Sequence, residues 1–142
     1  MSNQRTLSII KPNAVKKNKI GLIIALLEEA KLKVVEVKMI TLSVEKAESF
    51  YSEHKGKPFF NELIAFMTSG PLVIMALEGE DAINTNRKIM GATNPAEALE
   101  GTIRAKYGDG MTENAVHGSD SNENAEKEIG FFFSQSELIA NK

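Results

Sequence analysis

Residues 72–77 read LVIMAL, six apolar residues in a row set between Gly70-Pro71 and Glu78-Gly79. So short an unbroken run has no polar face to offer water, which predicts a strand buried on both of its faces. The rest of the chain has to supply that cover. RTLSIIK (5–11), β-branched and bounded by Pro12, predicts a second strand ending at Lys11. In KVVEVKMI (33–40), Val35, Val37 and Met39 alternate with Glu36 and Lys38, the pattern of a half-buried strand.

Between these runs the apolar period changes to that of a helix. Ile20, Ile23, Ile24 and Leu27 predict a helix over 19–31. Ser43 is placed to cap one carrying Ala47, Phe50 and Tyr51, and KGKP (55–58) breaks it before another that turns Phe60, Leu63, Ile64 and Met67 to one side. Phe59 lies one residue, about 100°, from Phe60 around that helix and can face a cleft. Asp81 is expected to cap a helix ending at Met90-Gly91, and Ser121 a final one with Ala125, Ile129 and Phe132 facing inward. Val116 is expected in a brief last strand. Residues 91–116 read mostly as loop with short helical turns, and so long an irregular stretch in a compact domain, carrying Thr93, Arg104 and Asn114, argues for function.

The order β-α-β-α-α-β-α-loop-β-α predicts an α/β (α+β) fold, a ferredoxin-like β-α-β-β-α-β sandwich with an antiparallel sheet and added helices. With 142 residues, 42% of them hydrophobic, it is expected to form one domain over residues 1–142. A net charge of −2 with both signs interspersed argues against nucleic acid or a membrane as the main partner. There is no cysteine, no signal-like amino terminus and no run of ~20 apolar residues, so a cytoplasmic protein is expected.

Only two histidines occur. His54, beside KGKP, reads as a helix-end residue. His117, in AVHGSDS, has small neighbours and an acid, Glu128, eleven residues on. A neutral imidazole is a nucleophile able to attack phosphorus, provided its other nitrogen keeps a proton and is held by a carbonyl or carboxylate. Glu128 could fold back to do so, with the Ser119 hydroxyl reaching the phosphate or Glu128; taken alone, the segment reads more readily as a turn with a structural histidine. Phosphoryl transfer also needs cations, for which Lys11, Arg87 and Arg104 are candidates. Neither a Walker-type loop nor GxGxxG is present.

Taken together, TLSIIKPNAV, YSEHKGKPFFNELIAFMTSGPLVIMALEG, GATNPAEALEGTIRAKYG, NAVHGSDS and ENAEKEIGFFF resemble the nucleoside diphosphate kinase family from end to end. The resemblance implies a ping-pong exchange: a nucleoside triphosphate gives its γ-phosphate to His117, and a nucleoside diphosphate takes it away. It implies Glu128 as the orienting carboxylate, Tyr51 and Ser119 lining the histidine, and Lys11, Arg87, Thr93 and Arg104 on the phosphates. Asn114 would meet the sugar hydroxyl, and the base would stack on Phe59 against Met111, which explains base tolerance because every base has a π face. Mg2+ would be carried mainly by the nucleotide phosphates, with no metal ligand from the protein. Homo-oligomers are implied, a tetramer favoured over a hexamer because the chain stops soon after SELIANK.

The chain departs from the family where Lys-Pro-Asp-Gly becomes KPNA (11–14), where Lys17-Asn18 replace an Arg-Gly pair, at Glu113 in place of arginine, and in FFF (131–133), which lacks tryptophan. Two other readings compete. A non-catalytic nucleotide-binding regulatory module on the same framework would not need the nucleophile. An RNA-binding ferredoxin-like domain would want a basic surface and exposed sheet aromatics.

Overall fold

The computed structural model describes residues 3–134 and 136–138. The apolar run forms β3 (Leu72–Glu80), flanked on one side by β1 (Asn3–Ile10) and on the other by β2 (Lys33–Ile40), while β4 (Val116–Gly118) pairs with the far edge of β1. All three pairings are antiparallel, giving the order β2-β3-β1-β4 of the expected ferredoxin-like sheet. Residues 72–77 are buried throughout. Leu72, Ile74 and Ala76 join Leu7 and Ile9 under α3 (Val44–Phe50), α4 (Phe60–Met67) and α7 (Asn122–Phe132). Val73, Met75 and Leu77 join Ile10 under α1 (Pro12–Lys16), α2 (Ile20–Glu29), α5 (Ala82–Met90) and α6 (Ile103–Tyr107). The continuous apolar run is thus the sequence of a strand covered on both faces.

The helices start and stop for local reasons. Ser43 and Ser121 cap α3 and α7, each hydroxyl accepting a backbone N–H three residues on. Phe60, Leu63, Ile64 and Met67 are buried along α4, and α5 ends at Gly91 with φ of 89°. At the end of α7, Lys38 reaches over from β2, donating to the Phe132 carbonyl and to Glu137, a cation where the helix dipole is negative.

Three expectations are corrected. Val35 is in the core, but Val37 and Met39 are 45% and 54% exposed. The pairing of β2 with β3 shifts register between Val34 and Glu36, and such a bulge sends the residues beyond it to the opposite face. Lys11 is followed at once by a helix that the sequence reading left out: Pro12 presets the first helical φ, and Asn18, at φ 63°, closes the turn after it in a conformation that asparagine tolerates. Asp81 stands before α5 but caps nothing, because at φ 51° its carboxylate turns to Asn84. The cap comes from β1 instead, where Gln4 Oε1 accepts from Ile83 N at 3.0 Å.

No described helix is long and apolar enough to cross a membrane. Replacing Gln4 by Ala should cost about 1 kcal/mol, as for loss of an N-cap, whereas Asp81→Gly should stay within about 0.5 kcal/mol of wild type. Urea unfolding of the two variants checks the assignment.

Candidate active site

His117 stands on β4 opposite Ile9 of β1, so the short strand is fixed by the sheet. Its Nε2 lies 3.0 Å from Glu128 Oε1, which accepts Ser119 Oγ at 2.7 Å as well. A carboxylate at Nε2 selects the tautomer protonated there and leaves the lone pair on Nδ1. Ser119 is itself locked: its hydroxyl accepts from Leu7 N and its own N–H donates to the Leu7 carbonyl. The rings of Phe50 and Tyr51 stand edge-on to His117 at 5.5 and 6.4 Å. Burial, and after it the Glu128 charge, push the Tyr51 phenol far above its ordinary range, so it stays protonated.

Asn114 is the second centre. Its Oδ1 accepts from Lys11 Nζ at 2.8 Å, and its amide donates to the Thr93 and Met111 carbonyls at 3.2 and 3.0 Å. Arg104 spans two backbone segments, donating to Gly91 O at 3.1 Å and to Val116 O, one residue before His117, at 2.8 Å. Both cations are buried. Burial, then the Arg104 charge, lower Lys11 to about 7 although Glu113 opposes the shift; burial, then Arg87, bring Arg104 down to about 10. Arg87 is exposed, and with Gly91, Thr93, Thr102 and Arg104 it lines a hollow of about 480 Å³. A larger hollow, about 880 Å³, lies between the start of β1 and α7 and contains none of the candidate residues.

On the other side, Phe59 is 42% exposed while Phe60 is buried, the division that one helical step predicts. Met111 is 58% exposed. The structure brings Lys11, Thr93, Met111 and Asn114 into direct contact, and His117, Glu128, Ser119 and Tyr51 into another group. Arg104 joins the two through Val116.

Three features escaped the sequence reading. His54 does end a short 3-10 turn, but its ring stacks on Tyr51 and lies 5.4 Å from Phe59, extending the aromatic row from His117. Asp120, held low by the Asn124 amide first and further by Arg87, lies within reach of that cation's charge. Asn86, with both side-chain atoms buried and unpartnered among the described residues, packs behind Gly118. Of these, only Asp120 carried a sequence signal, as the last letter of HGSD. Among the described residues no group of three or more acidic or histidine side chains forms a metal cage.

A family model described as nucleoside diphosphate kinase matches residues 4–138. Among solved structures, nucleoside diphosphate kinase from Aquifex aeolicus is 42% identical with a TM-score of 0.95, over 97% of this chain and 100% of that one. The enzyme from Halobacterium salinarum, solved in complex with CDP, is 40% identical with a TM-score of 0.95, over 99% and 94%. That from Encephalitozoon cuniculi is 39% identical with a TM-score of 0.93, over 97% and 94%.

A side chain at Gly118 would run into Asn86 Nδ2 and Met90 Sδ, so α5 abuts the strand that carries His117. Gly118→Ala is therefore expected to cost about 1–3 kcal/mol by overpacking, read from chemical denaturation.

Proposed function

The chain belongs to the nucleoside diphosphate kinase family and transfers phosphate between nucleoside tri- and diphosphates; from that premise we propose that the phosphate passes through His117. The observation that carries this is the carboxylate at Nε2, which leaves Nδ1 as the nucleophile. The Nδ1 lone pair attacks the γ-phosphorus, the bond from phosphorus to the bridging β-oxygen breaks, and the diphosphate leaves with that electron pair. Nε2–H stays on the ring, and Glu128 faces the positive charge that the phosphorylated imidazole acquires. A β-phosphate oxygen of the second nucleotide then attacks the same phosphorus and returns the pair to Nδ1.

Lys11, Arg87, Thr93 and Arg104 are proposed to hold the phosphates. Arg104 has N–H groups left beyond its two backbone bonds. Asn114 Oδ1 has a second lone pair for the sugar hydroxyl. Phe59 and Met111 would take the base, in line with the CDP bound by the Halobacterium enzyme. Magnesium enters as part of the substrate, on the phosphate oxygens. The exposed Val37 and Met39 of edge strand β2 support a homo-oligomer, which we take as a tetramer, in the cytoplasm; sedimentation tests the assembly.

Intact mass after incubation with magnesium ATP should show one phosphate on wild type and none on His117→Ala, and the adduct should vanish on chase with a different diphosphate. An adduct that persists in His117→Ala would overturn the assignment. Glu128→Gln should bind nucleotide normally and transfer at least roughly tenfold more slowly.

Lys11 adds a pH dependence. Folding lowers it from 10.5 to about 7, so its contribution to stability is full above the ordinary lysine value and is lost as pH falls through about 7. A bound phosphate reverses the shift. Titration calorimetry in buffers of different ionisation enthalpy should then show about one proton taken up with nucleotide near pH 8 and little near pH 6, and no such uptake in Lys11→Met.

A further inference from the structure

The start of α1 and the segment before β4 are joined side by side. Lys11 N donates to Ala115 O at 2.7 Å, and Lys11 Nζ to Asn114. Further along, Asn13 Nδ2 donates to Asp109 Oδ2 at 2.8 Å and to Glu113 O at 3.0 Å. Lys17 Nζ donates to Asp109 Oδ1 at 2.7 Å and to Tyr107 O at 3.0 Å. The Glu113 carbonyl also accepts from Asp109 N and Gly110 N, so the turn at 109–113 closes on the atom that Asn13 holds. Met111 lies inside that turn and Asn114 directly after it.

We propose that Asn13 is a positioning residue for nucleotide binding, holding the turn at 109–113, and with it Met111 and Asn114, against α1. This rests on the reading that Met111 and Asn114 belong to the nucleotide site. The chemistry requires an amide. Both hydrogens of one Nδ2 are used, one on a carboxylate and one on a carbonyl, so an oxygen in that place would face two acceptors. Aspartate has the same shape and no hydrogen to give. The Lys17–Asp109 pair is exposed at 38% and 47%, and as an exposed ion pair it holds the turn weakly by itself. The bond to Glu113 is the less exposed of the two that Asn13 makes.

The test compares wild type, Asn13→Asp, Asn13→Ala and the double variant N13D/D109N. Three quantities are read: KM for the acceptor diphosphate, phosphate uptake by His117 at saturating magnesium ATP, and amide hydrogen exchange at Asp109 and Gly110. Asn13→Asp should raise KM about tenfold and speed exchange at both amides, with uptake at saturation within about twofold of wild type. The double variant restores a donor opposite residue 13 but not the bond to Glu113, so it should fall between the two, roughly threefold above wild type. Asn13→Ala, which removes both bonds without adding a charge, should also raise KM and speed exchange, and it stands in if Asn13→Asp does not fold. Wild-type KM and exchange in Asn13→Asp, or a double variant no better than the single one, would overturn the proposal. If wild type takes no phosphate at His117, the reading of the site fails, and the exchange rates still decide whether Asn13 holds the turn.

Discussion

The seating of β1 between β3 and β4 is the constraint on which the site depends. One strand, covered by helices on both faces, gives the sheet its central pairing along one edge and carries β4, with His117, along the other. Ile9 sets the level of His117, Leu7 clips Ser119 through two hydrogen bonds, and the strand ends where Lys11 begins. A buried strand that cannot slide without flipping its side chains is a rigid ruler. His117, the proposed nucleophile, and Lys11 are both measured from it.

The second constraint is electrostatic. Lys11 and Arg104 are buried, the Arg104 charge lowers Lys11 further, and the Arg87 charge lowers Arg104 in turn. Placing like charges together away from water costs free energy that the folded protein alone does not recover. An anion with several charges relieves the whole row at once, whereas a singly charged one relieves only part. A preference for di- and triphosphates over smaller anions therefore follows from the row itself. The backbone bonds of Arg104 tie this charge to Gly91 and Val116, so the side chain that carries the charge also braces the residue before His117.

What the sequence disclosed, it disclosed through period and through local chemistry. The run at 72–77, the faces of α4 and α7, and the serine caps depend on residues within a few positions of one another, and all were legible. So was the division of labour between Phe59 and Phe60. The failures share a cause: Val37 and Met39 turn outward because of a bulge that only the partner strand defines, and Asp81 loses its cap to Gln4, 79 positions from the N–H it satisfies. In the site, His117 and Glu128 could be paired in principle because the gap is short and runs from a strand into a helix. Asn86 behind Gly118, and the hold of Asn13 on the turn at 109–113, are set by packing between distant segments; KPNA marked Asn13 as a departure but not what it touches.

The clip between Leu7 and Ser119 also bears on how the protein is made. Its two ends are 112 residues apart, and Glu128 comes later still. A chain leaving the ribosome exposes β1 early but has nothing to complete it on that edge until nearly everything else has been synthesised. A chain that stops before Ser119 and Glu128 therefore lacks the bonds that orient the His117 imidazole.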